Sequence, residues 1–406
     1  MIDRRRLLLT GAAAVAAPRL VRAQAARPVI KLGVLNDMSG PYRDTGGMTS
    51  VICVKQAVQD FGDHGFDVEV ISADHQNKPD VGVGIARRWF DQDGVDAIID
   101  VPTSSVALAV SSVIREKNKV FLNSGAGTAD LTGAQCSPNT VHWTYDTYML
   151  AKSTGGAMAK TGGDSWYFLT ADYVFGQQLQ RDASRFVTAA GGKVLGASAY
   201  PFPGTADFSS FLLQAQASGA KVLGLANAGA DTTSCIKQAV EFGLTKNMKI
   251  AALLMFLSDV NGIGLETAQG LVLTESFYWD LNERTRAFTD RVKSKTPDNW
   301  PNMDHAGCYA ATLHYLKAAA SLGAAEAKAN GVTAVNRMKS TPTDDDAYGH
   351  GSIREDGRGM FASYLFEVKT PAESRHKWDY YKLRATTPPD QAFRPLSEGG
   401  CTLIKA

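Results

Sequence analysis

From Pro28 onward, short apolar runs alternate with glycine-rich turns and with longer stretches whose apolar residues recur every three or four positions. That alternation predicts parallel strands joined by crossover helices. Val29-Ile-Lys-Leu-Gly-Val-Leu35 reads as the first strand, and residues 46–62 as a helix with Val51, Val54, Val58 and Phe61 on one face. A strand follows at 66–72, a helix at 81–92, a buried strand at Asp96-Ala-Ile-Ile-Asp100, a helix at 105–116 and a strand at Val120-Phe-Leu122. The pattern then restarts. Helices are expected at 148–160, 176–190, 208–218 and 232–242, and strands at 165–169, 193–199, 221–225 and 249–254. Two successive doubly wound, Rossmann-like α/β halves are therefore predicted. Beyond them come a strand at 270–274 running into Glu275-Ser-Phe-Tyr-Trp279, a long helix at 303–322, a polar turn-rich stretch at 344–359 and an alternating strand at 360–368. The Pro-rich, charged tail reads as surface wrapping.

Composition places the chain among globular proteins: 406 residues, 44 % hydrophobic and 20 % charged, long enough for two substantial cores. With 42 Lys plus Arg against 41 Asp plus Glu, nothing suggests a nucleic-acid partner. The first 25 residues change the picture. Arg4-Arg5-Arg6 leads an apolar Leu7–Ala17 stretch too short to span a membrane, and small residues stand at Ala23 and Ala25. This reads as a signal peptide cleaved near Ala23 or Ala25, by a Sec or a Tat-like route, which makes the expected location periplasmic. The segment holds five arginines and one acid, so the +1 of the whole chain becomes −3 in the remainder. No later apolar run is long enough to cross a membrane. Cys53, Cys136, Cys235, Cys308 and Cys401 show no C-x-x-C spacing; an oxidising compartment permits a disulfide among them, and at least one stays unpaired.

Motifs for chemistry on a substrate are missing. The chain has no H-E-x-x-H, Walker A loop, G-x-S-x-G elbow or G-x-G-x-x-G, and its seven histidines show no metal-ligand spacing. No catalytic residue, metal or cofactor is predicted. What the chain does offer is loops after strands, where open α/β sheets place ligands. They are residues 36–47, Val101-Pro-Thr-Ser-Ser105, Asn123-Ser-Gly-Ala-Gly-Thr128 and Thr170-Ala-Asp-Tyr-Val-Phe-Gly176. Small residues there let backbone N–H groups approach an anion, and Ser104, Ser105 and Thr128 at helix starts either bind a carboxylate or serve as ordinary caps.

The same segments carry a resemblance. Met38-Ser-Gly-Pro-Tyr42, Asp74-His-Gln-Asn-Lys-Pro-Asp80, Ser104-Ser-Val-Ala-Leu-Ala-Val110, Gly125-Ala-Gly-Thr-Ala-Asp-Leu-Thr132 and Asp172-Tyr-Val-Phe-Gly176 resemble, in order and spacing, the leucine-binding-protein family of periplasmic substrate-binding proteins of ABC importers. The resemblance implies a type I periplasmic binding protein: two lobes on a three-segment hinge, 26–146 with 275–345 and 147–274 with 346–406, closing on a small molecule and then docking on a membrane permease as a monomer. It also implies that Ser104, Ser105, Gly125, Gly127 and Thr128 hold the ligand carboxylate, with Phe175 and Tyr173 covering it from the second lobe. The amino-acid binders of that family place an acid after the strand matching 249–254, where this chain has Met255-Phe256-Leu257. A buried ammonium without a partner is costly, so the resemblance points to the branch that binds aromatic acids such as benzoates and cinnamates. Tyr42, Arg43 and Tyr145 then become candidates for stacking and for a charge-assisted bond to a planar acid, Arg43 being otherwise a solvated loop residue. Asp146 either accepts from a ligand hydroxyl or caps the next helix, and Tyr278 either walls the pocket or packs between the lobes. The alternatives are a branched-chain or other amino acid, with Asp146 meeting its ammonium, or an exported sensor component.

Overall fold

The computed structural model describes residues 27–160 and 162–404, so the expected signal peptide and its cleavage positions lie outside the described residues. The first lobe is built from β1 (Val29–Asn36), α1 (Gly47–Phe61), β2 (Asp67–Asp74), α2 (Pro79–Arg88), β3 (Ala97–Asp100), α3 (Ser104–Glu116), β4 (Val120–Asn123) and β5 (Thr140–His142). Their parallel sheet runs in the order β2-β1-β3-β4-β5. Helices cover both faces, which is why β3 and β4 are apolar runs buried at every position.

The chain then crosses to the second lobe through α4 (Thr147–Leu150), a π-type turn (Ala151–Gly155) and α5 (Gly156–Lys160). There β6 (Ser165–Ala171), α6 (Val174–Ala189), β7 (Lys193–Tyr200), α7 (Ser209–Ala217), β8 (Val222–Ala226), α8 (Ala230–Glu241) and β9 (Lys249–Ala252) form a second parallel sheet, ordered β7-β6-β8-β9. After α9 (Leu257–Ile263), α10 (Leu265–Ala268) and β10 (Val272–Glu275) the chain returns. Helices α11 (Glu283–Val292), α12 (Met303–Leu322), α13 (Ala324–Ala329) and α14 (Gly331–Lys339) pack on the first lobe, α12 lying along α1 and α14 over β4. A short β11 (Ser352–Ile353) and β12 (Gly359–Met360) pair follows, and β13 (Ser363–Val368) with β14 (Tyr381–Thr387) completes an antiparallel sheet with β10.

Both halves of the predicted α/β pattern are present, with three crossings between them. The third crossing falls later than expected. Residues 346–361 were expected in the second lobe, yet β11 packs on α14, Phe361 packs on Trp143 (ring centroids 5.2 Å) and His142 N–H donates to Gly357 O (2.9 Å). The tail also departs from the expectation. Cys136 and Cys401 form a disulfide, and Arg394 donates to Ala129 O (3.0 Å), which fixes the C-terminus to the first lobe. Cys53, Cys235 and Cys308 are buried and free. Closing a 265-residue loop, this disulfide contributes about 2–4 kcal/mol by restricting the unfolded chain. Cys401→Ser is therefore expected to lower the calorimetric melting midpoint by several degrees, and an unchanged midpoint would mean the tail adds nothing.

One buried carboxyl ties the crossings together. Glu275, at the end of β10, accepts hydrogen bonds from the first N–H of α9 (Leu257, 3.0 Å), the first N–H of α12 (Met303, 3.1 Å) and the Tyr381 hydroxyl (2.8 Å). Two helix N-termini from the two lobes thus converge on it. Burial nevertheless outweighs these donors and pushes its pKa up to about 8, against 4.5 in an unfolded chain. A folded-state pKa raised in this way favours the folded protein at low pH, and that contribution is lost as pH rises to about 8. Because Asp259 is raised to about 7 and Asp231 and Asp345 to about 6, Glu275 is the last of these acids to ionise. The wild-type melting midpoint should fall between about pH 7 and pH 8.5, and Glu275→Gln should flatten that fall; equal slopes would show that Glu275 does not titrate there.

Candidate functional site

The strand orders place one topological switch point in each lobe, between β1 and β3 and between β6 and β8. Loops leaving the carboxyl ends of those strands diverge there and leave a crevice. The two crevices face each other. Tyr42, Thr45, Pro102, Gly125, Gly127 and Tyr145 line a cavity from the first lobe, and Tyr173, Phe175, Ala228, Leu254 and Phe256 line it from the second. It holds about 240 Å³ of space, its mouth included. None of these residues is charged.

The lobes are in contact around this cavity. The Tyr42 and Tyr173 hydroxyls share a hydrogen bond (2.6 Å), and Phe202 stacks on both rings, with centroids 5.4 Å and 4.3 Å away. Burial holds both phenols above their ordinary pKa, so each stays neutral. Ala230 N–H donates to Pro41 O (3.0 Å), the Thr128 hydroxyl to Gln178 Oε1 (2.8 Å) and Gln178 Nε2 to Asp130 (2.7 Å). Glycines allow this approach. A Cβ on Gly127 would fall 2.7 Å from the Phe175 ring, and one on Gly229, whose φ is +61°, would fall 2.4 Å from Pro41 O.

Three helices begin at the cavity wall: α3 just after Pro102, α6 immediately after Tyr173 and α8 just after Ala228. No side chain caps any of the three. The first N–H groups and dipoles of α3 and α6 favour a negative charge in the cavity although no cation lines it, while the first N–H of α8 is taken by Pro41 O. Rings of Tyr145, Phe175 and Phe256 supply apolar walls; Tyr145 and Phe256 meet edge to face at 5.8 Å, and the Tyr145 hydroxyl donates to Gly125 O.

Of the residues singled out in the sequence, Tyr42, Gly125, Gly127, Tyr145, Tyr173 and Phe175 therefore share one cavity. Ser104 and Ser105 occupy the first turn of α3 beside Pro102; the Ser104 hydroxyl is fully buried and has no hydrogen-bond partner. Thr128 serves as a clasp between the lobes through Gln178 rather than as lining. Arg43 and Tyr278 correct the expectation, and Asp146 takes the second of its two readings. Arg43 is exposed and paired with Asp44, because its loop turns the side chain outward. Asp146 caps α4 through Met149 N–H (2.9 Å) and lies 3.6 Å from the buried Arg358 guanidinium, away from the cavity lining. Tyr278 packs on Tyr381 (4.8 Å) and donates to Trp378 O (3.2 Å) inside the second lobe. Thr45, Pro102, Ala228 and Leu254 were not singled out; each lies within or beside a strand-end segment, and small apolar types give no signal of their own. Phe202, in a loop after β7, carried none at all.

The model of a family described as periplasmic binding protein matches residues 29–375. The chain belongs to the periplasmic binding protein family. Among solved structures, a periplasmic binding protein from Burkholderia mallei is 47 % identical, with a TM-score of 0.89 over 93 % of this chain and 99 % of that one. A branched chain amino acid ABC transporter periplasmic ligand-binding protein from Burkholderia xenovorans is 38 % identical, with a TM-score of 0.80 over 92 % and 99 %. An ABC-transporter solute binding protein from Rhodopseudomonas palustris, in complex with 3,4-dihydroxy benzoic acid, shares the fold at 22 % identity, with a TM-score of 0.78 over 89 % and 98 %. None of the curated proteins matches the chain. As a periplasmic binding protein of the ABC-transporter, leucine-binding type, the chain is of a class that captures small molecules outside the cytoplasm and works with a membrane permease.

Proposed function

We propose that this periplasmic binding protein captures an aromatic monocarboxylate, of benzoate or cinnamate type, and presents it to the permease of an ABC importer. The observation that carries this reading is a cavity with no charged side chain, walled by rings and met by the uncapped N-termini of α3 and α6. Such a cavity favours one negative charge and a flat apolar body. The ligand touches both lobes, so binding shifts the population toward the closed form, which is the form the permease reads. Nothing in this cycle alters the ligand. The mature chain acts as a monomer in the periplasm, exported on its N-terminal signal and cleaved near Ala23 or Ala25. The dihydroxybenzoic acid held by the Rhodopseudomonas palustris protein of the same fold accords with this ligand class.

The name of the Burkholderia xenovorans relative favours a second reading, a branched-chain amino acid. Against it, Asp146 is engaged by Met149 N–H and Arg358, and Asp231, in the first turn of α8, by the Tyr200 hydroxyl (2.8 Å), so neither lines the cavity to meet an ammonium. A thermal-shift panel of benzoates, phenylacetates, cinnamates, aliphatic acids and amino acids tests the two. Ligand at a hundred times its dissociation constant adds about 2.7 kcal/mol of stability. A rise confined to aromatic acids is expected; a rise with leucine and none with benzoates would overturn the assignment.

A further inference from the structure

Directly behind the cavity wall lies a group of buried acids that the binding site does not use. Asp100 ends β3, Asp304 stands in the first turn of α12, and Cys308 follows one turn later; their ligand-capable atoms lie within 4.8 Å of one another. Asp100 and Asp304 are 0 % and 1 % exposed. One oxygen of each has no hydrogen-bond partner, and among the described residues neither carboxyl is in an ion pair. Two buried carboxyls this close, without a cation, cannot both be ionised at low cost.

Every element packed around the pair is neutral. From β1, Asn36 donates to Asp100; from α1 come the Ser50 hydroxyl and the Cys53 thiol; from the 124–128 loop comes Ser124; α12 adds Cys308. Burial keeps both thiols and the nearby Tyr145 and Tyr348 phenols protonated. His305, next to Asp304 in the chain, is pushed down to about 3 by burial and donates from Nε2 to Gly46 O (2.9 Å) while its Nδ1 accepts from Asn302 N–H. Lys295, whose charge reaches Cys53, is engaged by Gln56 and Gln59.

The pair is coupled to the cavity through its wall. A Cβ on Gly125, which lines the cavity, would fall 2.6 Å from Asp100 Oδ1 and 2.6 Å from Pro102 Cα, so the carboxyl lies close behind the two loops expected to hold the ligand carboxylate. Asp100 and Val101 reach this position with φ of +79° and +62°, a backbone state that a β-branched residue seldom adopts and that often marks functional strain. We infer that Asp100 and Asp304 form a proton-sharing positioning pair behind the carboxylate subsite, so that the protein takes up a proton as it closes on a carboxylate ligand. This rests on the carboxylate reading of the cavity.

The sign follows from charge. Burial raises Asp100 to about 6, and burial together with the Asp100 charge raises Asp304 well above the ordinary carboxylate range, so near neutral pH the pair holds at least one proton and is close to binding a second. A ligand anion on the other side of Gly125 disfavours negative charge on Asp100 and draws that second proton in. Affinity should therefore be highest below about pH 6 and fall as the pair ionises, by about tenfold for each unit by which the ligand raises its pKa.

Titration calorimetry with benzoate between about pH 6 and pH 8.5, in two buffers of different ionisation heat, reads both quantities. The expected result is net proton uptake near pH 7 and a dissociation constant that rises about tenfold across the range. Asp100→Asn should give the tight limit at every pH, and Asp304→Asn, whose amide stabilises an ionised Asp100, the weak limit; both should abolish proton uptake. A purely structural role would not move the two variants in opposite directions. If the variants do not fold, the same calorimetry on Glu275→Gln decides, because uptake that persists without that carboxyl is not the hinge acid's. Benzoate binding with no proton uptake and a flat dissociation constant would overturn the inference and leave the carboxylate reading intact. Failure of every monocarboxylate to bind at any pH would overturn the reading and the inference with it.

Discussion

Replacing Gly229 by alanine should weaken ligand binding by at least ~100-fold while leaving most of each lobe folded. At φ +61° and ψ −134° the residue sits where a side chain is strained, a cost of roughly 1–3 kcal/mol. In the closed form the new Cβ would also fall 2.4 Å from Pro41 O, a backbone atom of the other lobe that cannot step aside, and the Ala230–Pro41 hydrogen bond across the lobes would be lost. The steric term exists only when the lobes meet. Closure is what lets one ligand touch both half-sites, so about 2.7 kcal/mol against closure is about 100-fold in affinity. Calorimetry gives the affinity, and X-ray scattering with saturating ligand should show an expanded particle. A variant that closes and binds like wild type would mean the 228–230 loop is not part of the closed contact.

Truncating Phe175 to alanine should cost about 2–3 kcal/mol of binding, or roughly 30- to 150-fold in the dissociation constant. Its ring is 2 % exposed, lies against Gly127 of the other lobe and forms one apolar wall of the cavity. Removing it opens the wall and takes away the partner for a ligand ring. Phe175→Tyr should recover most of the affinity, because the ring is retained. An unchanged constant for Phe175→Ala would place the ligand elsewhere.

How much of this was legible in the sequence depends on what each residue had to signal. The two doubly wound halves were, because β1, β3, β4, β6 and β8 are apolar runs separated by amphipathic helices, and period is a property of sequence. The short β5, helices α11, α13 and α14, and β14 were not. Three residues of β5 carry no period, and β14, reading Tyr381-Lys-Leu-Arg-Ala-Thr-Thr387, is mostly exposed on one edge, so its polar positions resembled a loop. Strand-end loops pointed to the cavity because switch points fix where loops go, which brought Tyr42, Gly125, Gly127, Tyr145, Tyr173 and Phe175 together. Arg43, Asp146 and Tyr278 did not join them, since residue type says nothing about which way a loop turns or which backbone carbonyl will engage a hydroxyl. The Asp100–Asp304 pair joins positions 204 residues apart, and only the packing of α12 against the first sheet brings them within reach.

The central claim is that the cavity selects one negative charge through helix N-termini and rings, with no charged side chain. Titration calorimetry of the mature protein with 4-hydroxybenzoate, 4-hydroxybenzamide and leucine tests it most directly. The account predicts tight binding of the acid and binding of the isosteric neutral amide at least ~100-fold weaker, since charge-assisted bonds to the N–H groups are lost, with leucine silent. Equal binding of acid and amide, or tight binding of leucine with the acid silent, would contradict it.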